Sequence, residues 1–162
     1  MPQDSSRSRS RREDEIHGVP RLSPVSVRAR AVIPFEEGIV VSRERHRGTE
    51  RMTLPGGRVL QGEAVETTVL REVGEETGLQ IELGPLLYAC EVVAASRRQD
   101  LNLIFLARLL SRPEGEADVL RPEDEDPGML PPVLDRIRRD QARGWEEMGV
   151  WLGNVWRGDL GR

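Results

Sequence analysis

The pattern of apolar and polar positions predicts four β-strands in the chain. In the stretch 25–33, which reads VSVRARAVI, every second residue is apolar, and Arg28 and Arg30 fall on the opposite face. A period of two residues is typical of a strand with one face against a core. The predicted strands are Val25–Ile33, Gly38–Ser42, Leu86–Val93 and Leu101–Leu110.

Two helices are predicted from apolar residues that recur every three or four positions. The first covers Ala64–Thr77 and is followed by Gly78, where a left-handed residue commonly ends a helix. We expect Gly74 to pack closely against a neighbouring backbone, because glycine inside a helix costs about 1 kcal/mol relative to alanine. The second helix ends near Gly144. Its apolar stripe contains Leu130, Val133, Leu134 and Ile137.

Polar segments separate these elements. Residues 1–24 lack apolar spacing and predict a disordered N-terminal tail, followed by one domain over residues 25–162. A basic arm for nucleic acid is the alternative, but the acids of this segment nearly cancel its arginines, which favours a solvated tail. The stretch 43–51 (RERHRGTER) and the acidic, proline-containing stretch 113–127 are predicted to be loops.

Composition narrows the class of protein and its partners. The chain is 37% hydrophobic and 32% charged, with a net charge of -4, as is typical of a globular domain. Its basic residues other than histidine are all arginines. They are outnumbered by the acidic residues, so the charge balance does not favour binding to nucleic acid. The apolar stretch Leu101–Leu110 is too short to span a bilayer, and no signal-peptide pattern is present. We therefore expect a cytoplasmic protein with neither a nucleic-acid nor a membrane partner.

One cysteine and three tryptophans stand out among the rarer residues. Cys90 lies in an apolar run and is predicted to be a small buried residue, with a nucleophilic role as the less favoured alternative. A lone cysteine forms no intrachain disulfide and suits a reducing compartment. We expect the tryptophans to pack against the sheet, a lid over the substrate or a homodimer contact being the alternatives. They are Trp145, Trp151 and Trp156.

Three acids of the first predicted helix share one face. Glu72, Glu75 and Glu76 stand at positions i, i+3 and i+4, so that their like charges oppose each other. Arg71 can offset part of this repulsion through an i to i+4 pair with Glu75. One interpretation is a solvated acidic face on a surface helix. The other is a set of hard oxygen ligands for Mg²⁺, which prefers oxygen and bridges to phosphates.

The sequence around these acids favours the metal interpretation. After the lead-in LPGG at 54–57, the chain reads Gly57, five residues, Glu63, seven residues and then REVGEETGL. This segment, residues 57–79, resembles the Nudix box at every defined position. The resemblance implies the α/β class and a Nudix fold, an α/β/α sandwich around a mixed β-sheet.

The resemblance also implies a role for each defined residue of the box. The metal would be Mg²⁺, with Mn²⁺ as an alternative, and its ligands would be Glu72, Glu75 and Glu76. A structural ion pair would join Glu63 to Arg71, while Gly57 and Gly78 would permit backbone turns. Core contacts would come from Val73 and Leu79.

The implied activity is hydrolysis of a phosphoanhydride bond by Mg²⁺-assisted attack of water. The substrate would be a small molecule, either a nucleoside diphosphate derivative or a nucleoside triphosphate. Glu75 or Glu76 is the expected base, with Glu91 and the acids of 114–126 as outside candidates. A non-catalytic Nudix-fold module that binds or senses a nucleotide and a purely structural domain are the alternatives, and the complete set of carboxylates favours the enzyme.

Residues that would name the substrate are absent. The proline typical of ADP-ribose hydrolases and the tyrosine typical of dinucleoside polyphosphate hydrolases are both absent from residues 93–96, which read VAAS. Met52 stands where an aromatic residue often precedes the lead-in. Four arginines could reach phosphates but are expected to be solvated surface residues. These are Arg28, Arg30, Arg43 and Arg45.

Overall fold

A computed structural model describes residues 24–46, 48–94, 98–111, 117–125 and 131–155. The predicted tail lies outside these ranges apart from its last residue, and so do Leu130, Trp156 and part of the acidic stretch. The helices are α1 (Val65–Thr77) and α2 (Pro131–Ala142). The strands are β1 (Val25–Val32), β2 (Pro34–Phe35), β3 (Gly38–Val40), β4 (Ser42–His46), β5 (Thr49–Thr53), β6 (Gly56–Arg58), β7 (Ile81–Val93), β8 (Gln99–Leu109), β9 (Val119–Leu120) and β10 (Val150–Asn154).

A five-stranded mixed sheet forms the centre of the molecule, in the order β10-β7-β8-β1-β6. β1 runs parallel to β8 and β10 parallel to β7, whereas the pairs β7–β8 and β1–β6 are antiparallel. β8 occupies the middle because its sequence is apolar at consecutive positions, which suits a strand covered on both faces. The predicted mixed sheet is therefore confirmed.

One helix covers each face of this sheet. Ala29 and Ala31 of β1 share a core cluster with Val69 and Val73 of α1, whereas Val32, which points the other way, joins the cluster of α2. From α2, this second cluster takes Val133, Leu134 and Ile137. Burying a side chain of this size stabilises the fold by about 1.5–3 kcal/mol, so each apolar stripe fixes its helix to its own face. The predicted α/β/α arrangement is confirmed.

The predicted polar loop over residues 43–51 is wrong, because β4 and β5 form a hairpin there. Its register runs from Ser42 opposite Thr53 to His46 opposite Thr49. Both of its faces are largely polar, so the strands show no apolar alternation. Opposite charges paired across the strands stabilise it instead, as in the 2.9 Å contact of Arg43 with Glu50.

Two other predicted strands have different limits. β7 begins at Ile81 rather than Leu86, because Gly84 and Pro85 form an irregularity within a continuous strand instead of a break. A side chain on Gly84 would approach the Leu106 carbonyl oxygen to 2.9 Å, so glycine permits this close pairing. The predicted strand at 38–42 is divided between β3 and the start of β4.

Expectations for Gly74 and for the C-terminal tryptophans need correction. Gly74 is exposed, and a side chain there would meet nothing within 4 Å among the described residues, so the predicted close packing is wrong. Trp145 packs against the core as predicted. Trp151 does not, because it lies on the edge strand β10 with 56% of its surface exposed. None of the helices in the described ranges is long and apolar enough to cross a membrane.

Candidate active site

The loop before α1 is joined to the helix by an ion pair between Glu63 and Arg71. The Arg71 guanidinium donates to both carboxylate oxygens of Glu63, at 2.8 and 3.0 Å. Thr68 Oγ1 and the Leu60 amide also donate to Glu63 Oε2. The Arg71 and Thr68 hydrogen bonds hold the pKa of Glu63 at about 2. This pair joins the loop residue Glu63 to the middle of α1.

Glu72 lies against the glycine that opens the box. A Cβ atom on Gly57 would approach the Glu72 carboxylate to 2.5 Å, so the absence of a side chain leaves the space that this carboxylate fills. The expected turn is not at Gly57, since only its neighbour Gly56 has a positive φ, of 138°. Gly78 does adopt the predicted left-handed conformation, with φ of 69°.

Glu76 reaches the same two-glycine segment from the next turn of α1. Its Oε2 accepts a hydrogen bond from the Gly56 amide at 3.0 Å. Although the residue as a whole is exposed, burial around its carboxylate raises the pKa of Glu76, while the Gly56 hydrogen bond and the nearby Arg30 oppose the shift. Glu44 of the hairpin is close enough to add to the increase.

The three glutamates do not converge on one point. The Glu72 carboxylate accepts a hydrogen bond from Arg71 Nη1 at 2.8 Å. Glu75 is 62% exposed, and its carboxylate lies 3.4 Å from the same nitrogen. Across the described part of the chain, no three acidic, histidine or cysteine side chains are placed together as a ready metal site.

The donor chemistry nevertheless suits a hard divalent cation. Glu72 and Glu76 bring their carboxylates to the adjacent residues Gly57 and Gly56, and Glu75, the neighbour of Glu76 on the same helix, is exposed. Carboxylate oxygens on one helix face beside a loop backbone form an all-oxygen donor set, which is the kind that Mg²⁺ and Mn²⁺ prefer.

A cavity of about 280 Å³ lies on the opposite face of the sheet from α1. Alternate residues of β1, β7 and β8 form its floor, and the hairpin and Val133 of α2 form its walls. Arg30 and Glu44 line the end nearest the box, and both are close enough to influence Glu76. The polar floor residues are Arg28, Arg30, Asp100 and Asn102.

Arg28 and Arg30 are not the solvated surface arginines that we expected. Their side chains are 22% and 13% exposed, and desolvation by burial lowers the pKa of Arg28. Arg30 donates at 2.6 Å to Thr53 Oγ1 and to the Leu54 carbonyl oxygen. The strand β1 places both arginine side chains on the cavity face, where they supply positive charge to the cavity.

Arg43 and Arg45 do match the surface expectation, since both are exposed. Arg43 pairs with Glu50 and with Asp118 of the acidic stretch. Glu91 accepts a hydrogen bond from Gln99 and lies outside the cavity lining, so it is poorly placed as a base.

Cys90 is buried as predicted, and burial raises the pKa of its thiol to about 11. A thiol that stays protonated near neutral pH is a poor nucleophile.

Asp100 and Asn102 were missed as candidate site residues. They occupy alternate positions of β8, so their side chains share the cavity face with Ile104. The available signal was the placement of two polar residues at a spacing of two within an otherwise apolar strand. In sequence alone this pattern also fits an edge strand with one solvated face.

Comparison with known proteins identifies the family to which this fold belongs. A family profile described as NUDIX domain matches residues 25–135, which is more than half of the chain. The chain belongs to the NUDIX family. No curated protein matches the sequence closely enough to count as a relative.

Solved NUDIX structures share the fold. A NUDIX hydrolase from Nitrosomonas europaea is 17% identical, with a TM-score of 0.62, and the alignment covers 80% of this chain and 79% of that one. An ADP-ribose pyrophosphatase from Streptococcus suis is 21% identical, with a TM-score of 0.55 and coverage of 83% and 98%. A UDP-X diphosphatase is 18% identical, with a TM-score of 0.62 and coverage of 82% and 68%. At these identities the similarity shows the fold, and this NUDIX protein's own residues must supply the chemistry.

Proposed function

We propose that this NUDIX protein is a pyrophosphohydrolase that uses a divalent cation, Mg²⁺ or Mn²⁺, to hydrolyse a phosphoanhydride bond. One observation carries the proposal. The carboxylates of Glu72 and Glu76 flank the adjacent residues Gly57 and Gly56, at the end of the cavity where Arg30 lies. Anionic metal ligands beside a cationic cavity are the arrangement needed to hold a pyrophosphate group between them.

Each of these residues has a distinct part in the proposed reaction. Glu72, Glu75 and Glu76 would hold the cation, which would supply positive charge for the phosphates and lower the pKa of a water molecule. Arg28 and Arg30 would bind phosphate oxygens and orient the substrate in the cavity. One of Glu75 and Glu76 would accept the proton of the attacking water. The pair Glu63–Arg71 positions α1 and takes no part in the chemistry.

The proposed substrate is a nucleoside diphosphate derivative or a nucleoside triphosphate. The cavity combines arginines with an apolar part that includes Met52, Val92 and Ile104, which suits a molecule with a charged and an uncharged end. The names of two solved structures of this fold, an ADP-ribose pyrophosphatase and a UDP-X diphosphatase, support this substrate class. A cytoplasmic setting suits such a substrate, and a homodimer through the C-terminal segment remains part of the proposal.

The decisive experiment compares Glu76→Gln with wild type and with Glu66→Gln. Glu66 is an exposed acid in the first turn of the same helix, ten residues before Glu76, and serves as the matched control. A panel of nucleoside triphosphates, ADP-ribose, nucleotide sugars and dinucleoside polyphosphates is assayed with Mg²⁺. We expect wild type and Glu66→Gln to turn over at least one class, and Glu76→Gln to be slower by about 10²–10⁴-fold.

A nucleotide-binding module without catalysis is the second candidate. It is favoured by the contacts of Arg71 with both Glu72 and Glu75, which occupy the carboxylates with a protein cation. Retained nucleotide binding with no turnover in wild type or in either variant would establish the module instead. A raised unfolding temperature with millimolar Mg²⁺, absent in Glu76→Gln, separates both candidates from a purely structural domain.

A further inference from the structure

Asn102 is a largely buried residue in the floor of the cavity. It is 8% exposed and belongs to β8, the middle strand of the sheet. Its partners in register are Arg28 of β1 and Cys90 of β7, and all three residues line the cavity. Asn102 therefore lies at the centre of the floor, with a cavity-lining residue on either side.

The side-chain amide of Asn102 has no protein partner, yet a ligand can reach it. Among the described residues, none exchanges a hydrogen bond with this amide. In the same part of the chain, only the Asp100 Oδ1 atom is fully buried without a partner, so the oxygen and the nitrogen of Asn102 both keep accessible surface. Because Asn102 lines the cavity, that surface opens into it. A ligand that displaces water from the amide must replace the hydrogen bonds of that water.

The surroundings of this amide suit a flat heterocycle. Its neighbours in the cavity lining include apolar residues, which are Cys90, Val92, Ile104 and Val133. The amide itself offers an acceptor oxygen beside a donor NH₂ group. The complementary ligand has an apolar body and an edge with an N–H donor next to an acceptor. Asparagine binds the edge of adenine through two hydrogen bonds of this kind.

The register of the strands places Asn102 at a nucleotide's length from the box. Asn102 lies opposite Arg28, whereas Gly56 of β6 lies opposite Arg30, so the two positions differ by two residues along the sheet and by two strands across it. At about 3.3 Å per residue and about 4.8 Å per strand, they are about 12 Å apart. A nucleotide with its phosphates beside the Glu76 carboxylate can extend its base across this distance.

We propose that Asn102 determines substrate specificity by forming two hydrogen bonds with the edge of a nucleobase that carries an N–H donor beside an acceptor. This inference rests on the proposed function, because it takes the pyrophosphate to lie at the box end of the cavity. Asn102 selects the substrate and takes no part in bond cleavage. A sugar hydroxyl can also bond to an amide, and the experiment separates the two ligand groups.

The test measures binding by calorimetry with Mg²⁺, so that it does not depend on turnover. The probes are nucleoside α,β-methylene diphosphates. Adenine and guanine are each compared with purine, and cytosine and uracil with pyrimidin-2-one, because these two partners carry no N–H group on the base. Wild type should bind at least one natural base about 10–100-fold more tightly than its partner. Ribose and 2′-deoxyribose forms of each probe report on the sugar hydroxyl.

The variant Asn102→Leu removes both hydrogen-bonding groups at similar volume. It should bring the affinity ratio of natural base to partner close to one. The unfolding temperature should not fall, because no hydrogen bond within the protein is lost. The control Gln99→Leu removes an amide from the opposite face of the same strand and should keep the wild-type ratio. Asn102→Ala carries the same expectation should Asn102→Leu fail to fold.

Three results would overturn the inference and leave the proposed function intact. The first is equal affinity of wild type for both members of every base comparison. The second is a base ratio that persists in the Asn102 variants, with or without a lower unfolding temperature. The third is a preference for ribose that Asn102→Leu abolishes while no base is preferred, which would assign the amide to a hydroxyl. Binding of no nucleotide at all by wild type defeats the proposed function and this inference together.

Discussion

The two faces of the central sheet carry opposite kinds of residue although they belong to the same strands. Toward α1, β1 presents Ala29 and Ala31, which are fully buried against Val69 and Val73. Toward the cavity, the residue between those alanines is Arg30. The α1 face is packed for stability and carries the box, whereas the cavity face keeps charged groups partly out of water.

This difference indicates which face of the sheet contributes more to the stability of the fold. Desolvated charges contribute little or negative net stability even when paired, and apolar replacements of similar volume are often neutral or stabilising. The Arg28–Asp100 contact, at 3.8 Å, is long for an ion pair, and one Asp100 oxygen has no hydrogen-bond partner among the residues that the structure describes. The α1 face should therefore respond to substitution through stability, and the cavity face through ligand binding.

The largest expected effect comes from the two glycines beside the box carboxylates. Gly57→Ala should lower kcat/KM by about a hundredfold or more, because the new Cβ lies 2.5 Å from the Glu72 carboxylate and must displace it. The displaced group is the end of a flexible side chain, so the unfolding temperature should change little. Steady-state kinetics and thermal unfolding of the same preparation measure kcat/KM and the unfolding temperature.

Gly56→Ala is the matched variant, and we expect it to lower the stability of the fold, which Gly57→Ala should leave nearly unchanged. Its φ of 138° and the 2.2 Å approach of its Cβ to the Ala29 carbonyl oxygen place the clash on the backbone. We expect a loss of more than about 3 kcal/mol in the free energy of unfolding. Equal stability loss in both variants would contradict the assignment of Gly57 to the placement of Glu72.

The second prediction compares the effect on stability of substitutions on the two faces of the sheet. Val73→Ala on the α1 face should lower the free energy of unfolding by about 2 kcal/mol, because it removes buried methyl groups and leaves a cavity. The double variant Arg28→Met/Asp100→Leu should lose nucleotide binding with no loss of stability, or a gain of up to about 4 kcal/mol. Denaturant unfolding of both variants measures these changes in the free energy of unfolding. Destabilisation by the double substitution would mean that the cavity charges stabilise the fold.

The third prediction concerns the pH dependence of the ion pair at the start of α1. The folded-state pKa of Glu63, about 2, lies below the usual value of 4.5, so its stabilising contribution is present above pH 4.5 and is lost as the pH falls toward 2. Glu63→Gln should be less stable than wild type at pH 7, and the difference should shrink below pH 4.5. A difference that is constant between pH 7 and pH 3 would rule out a contribution from the charge.

The smallest expected effect is a gain in stability at Gly74. No atom in the described part of the chain lies within 4 Å of a side chain added there, and the residue is an exposed position inside α1. Gly74→Ala should therefore stabilise the protein by up to about 1 kcal/mol through helix propensity. A thermal shift of the opposite sign would indicate that the backbone of this turn must move in the functional protein.

Local sequence patterns were sufficient to predict β1 and α1, each of which packs against the core through one apolar face. The predicted limits of β1 and α1 differ from the observed ones by a single residue, because apolar periodicity and the Gly78 end signal are properties of neighbouring residues. The β4–β5 hairpin could not be predicted in the same way, since its strands are stabilised by paired charges and carry no apolar face. The role of Gly57 in leaving space for the Glu72 carboxylate could not be predicted either, because Glu72 lies fifteen residues further along the chain.

The sequence by itself determined the family, the helix that carries the box and the spacing of its three glutamates, because all of these are encoded within 23 consecutive residues. Only the tertiary structure decided that Arg28, Arg30, Asp100 and Asn102 share one cavity. The physical reason is that a sheet brings distant strands to a spacing of about 5 Å. The side chains that share a face then depend on strand order and register, which these local patterns do not specify.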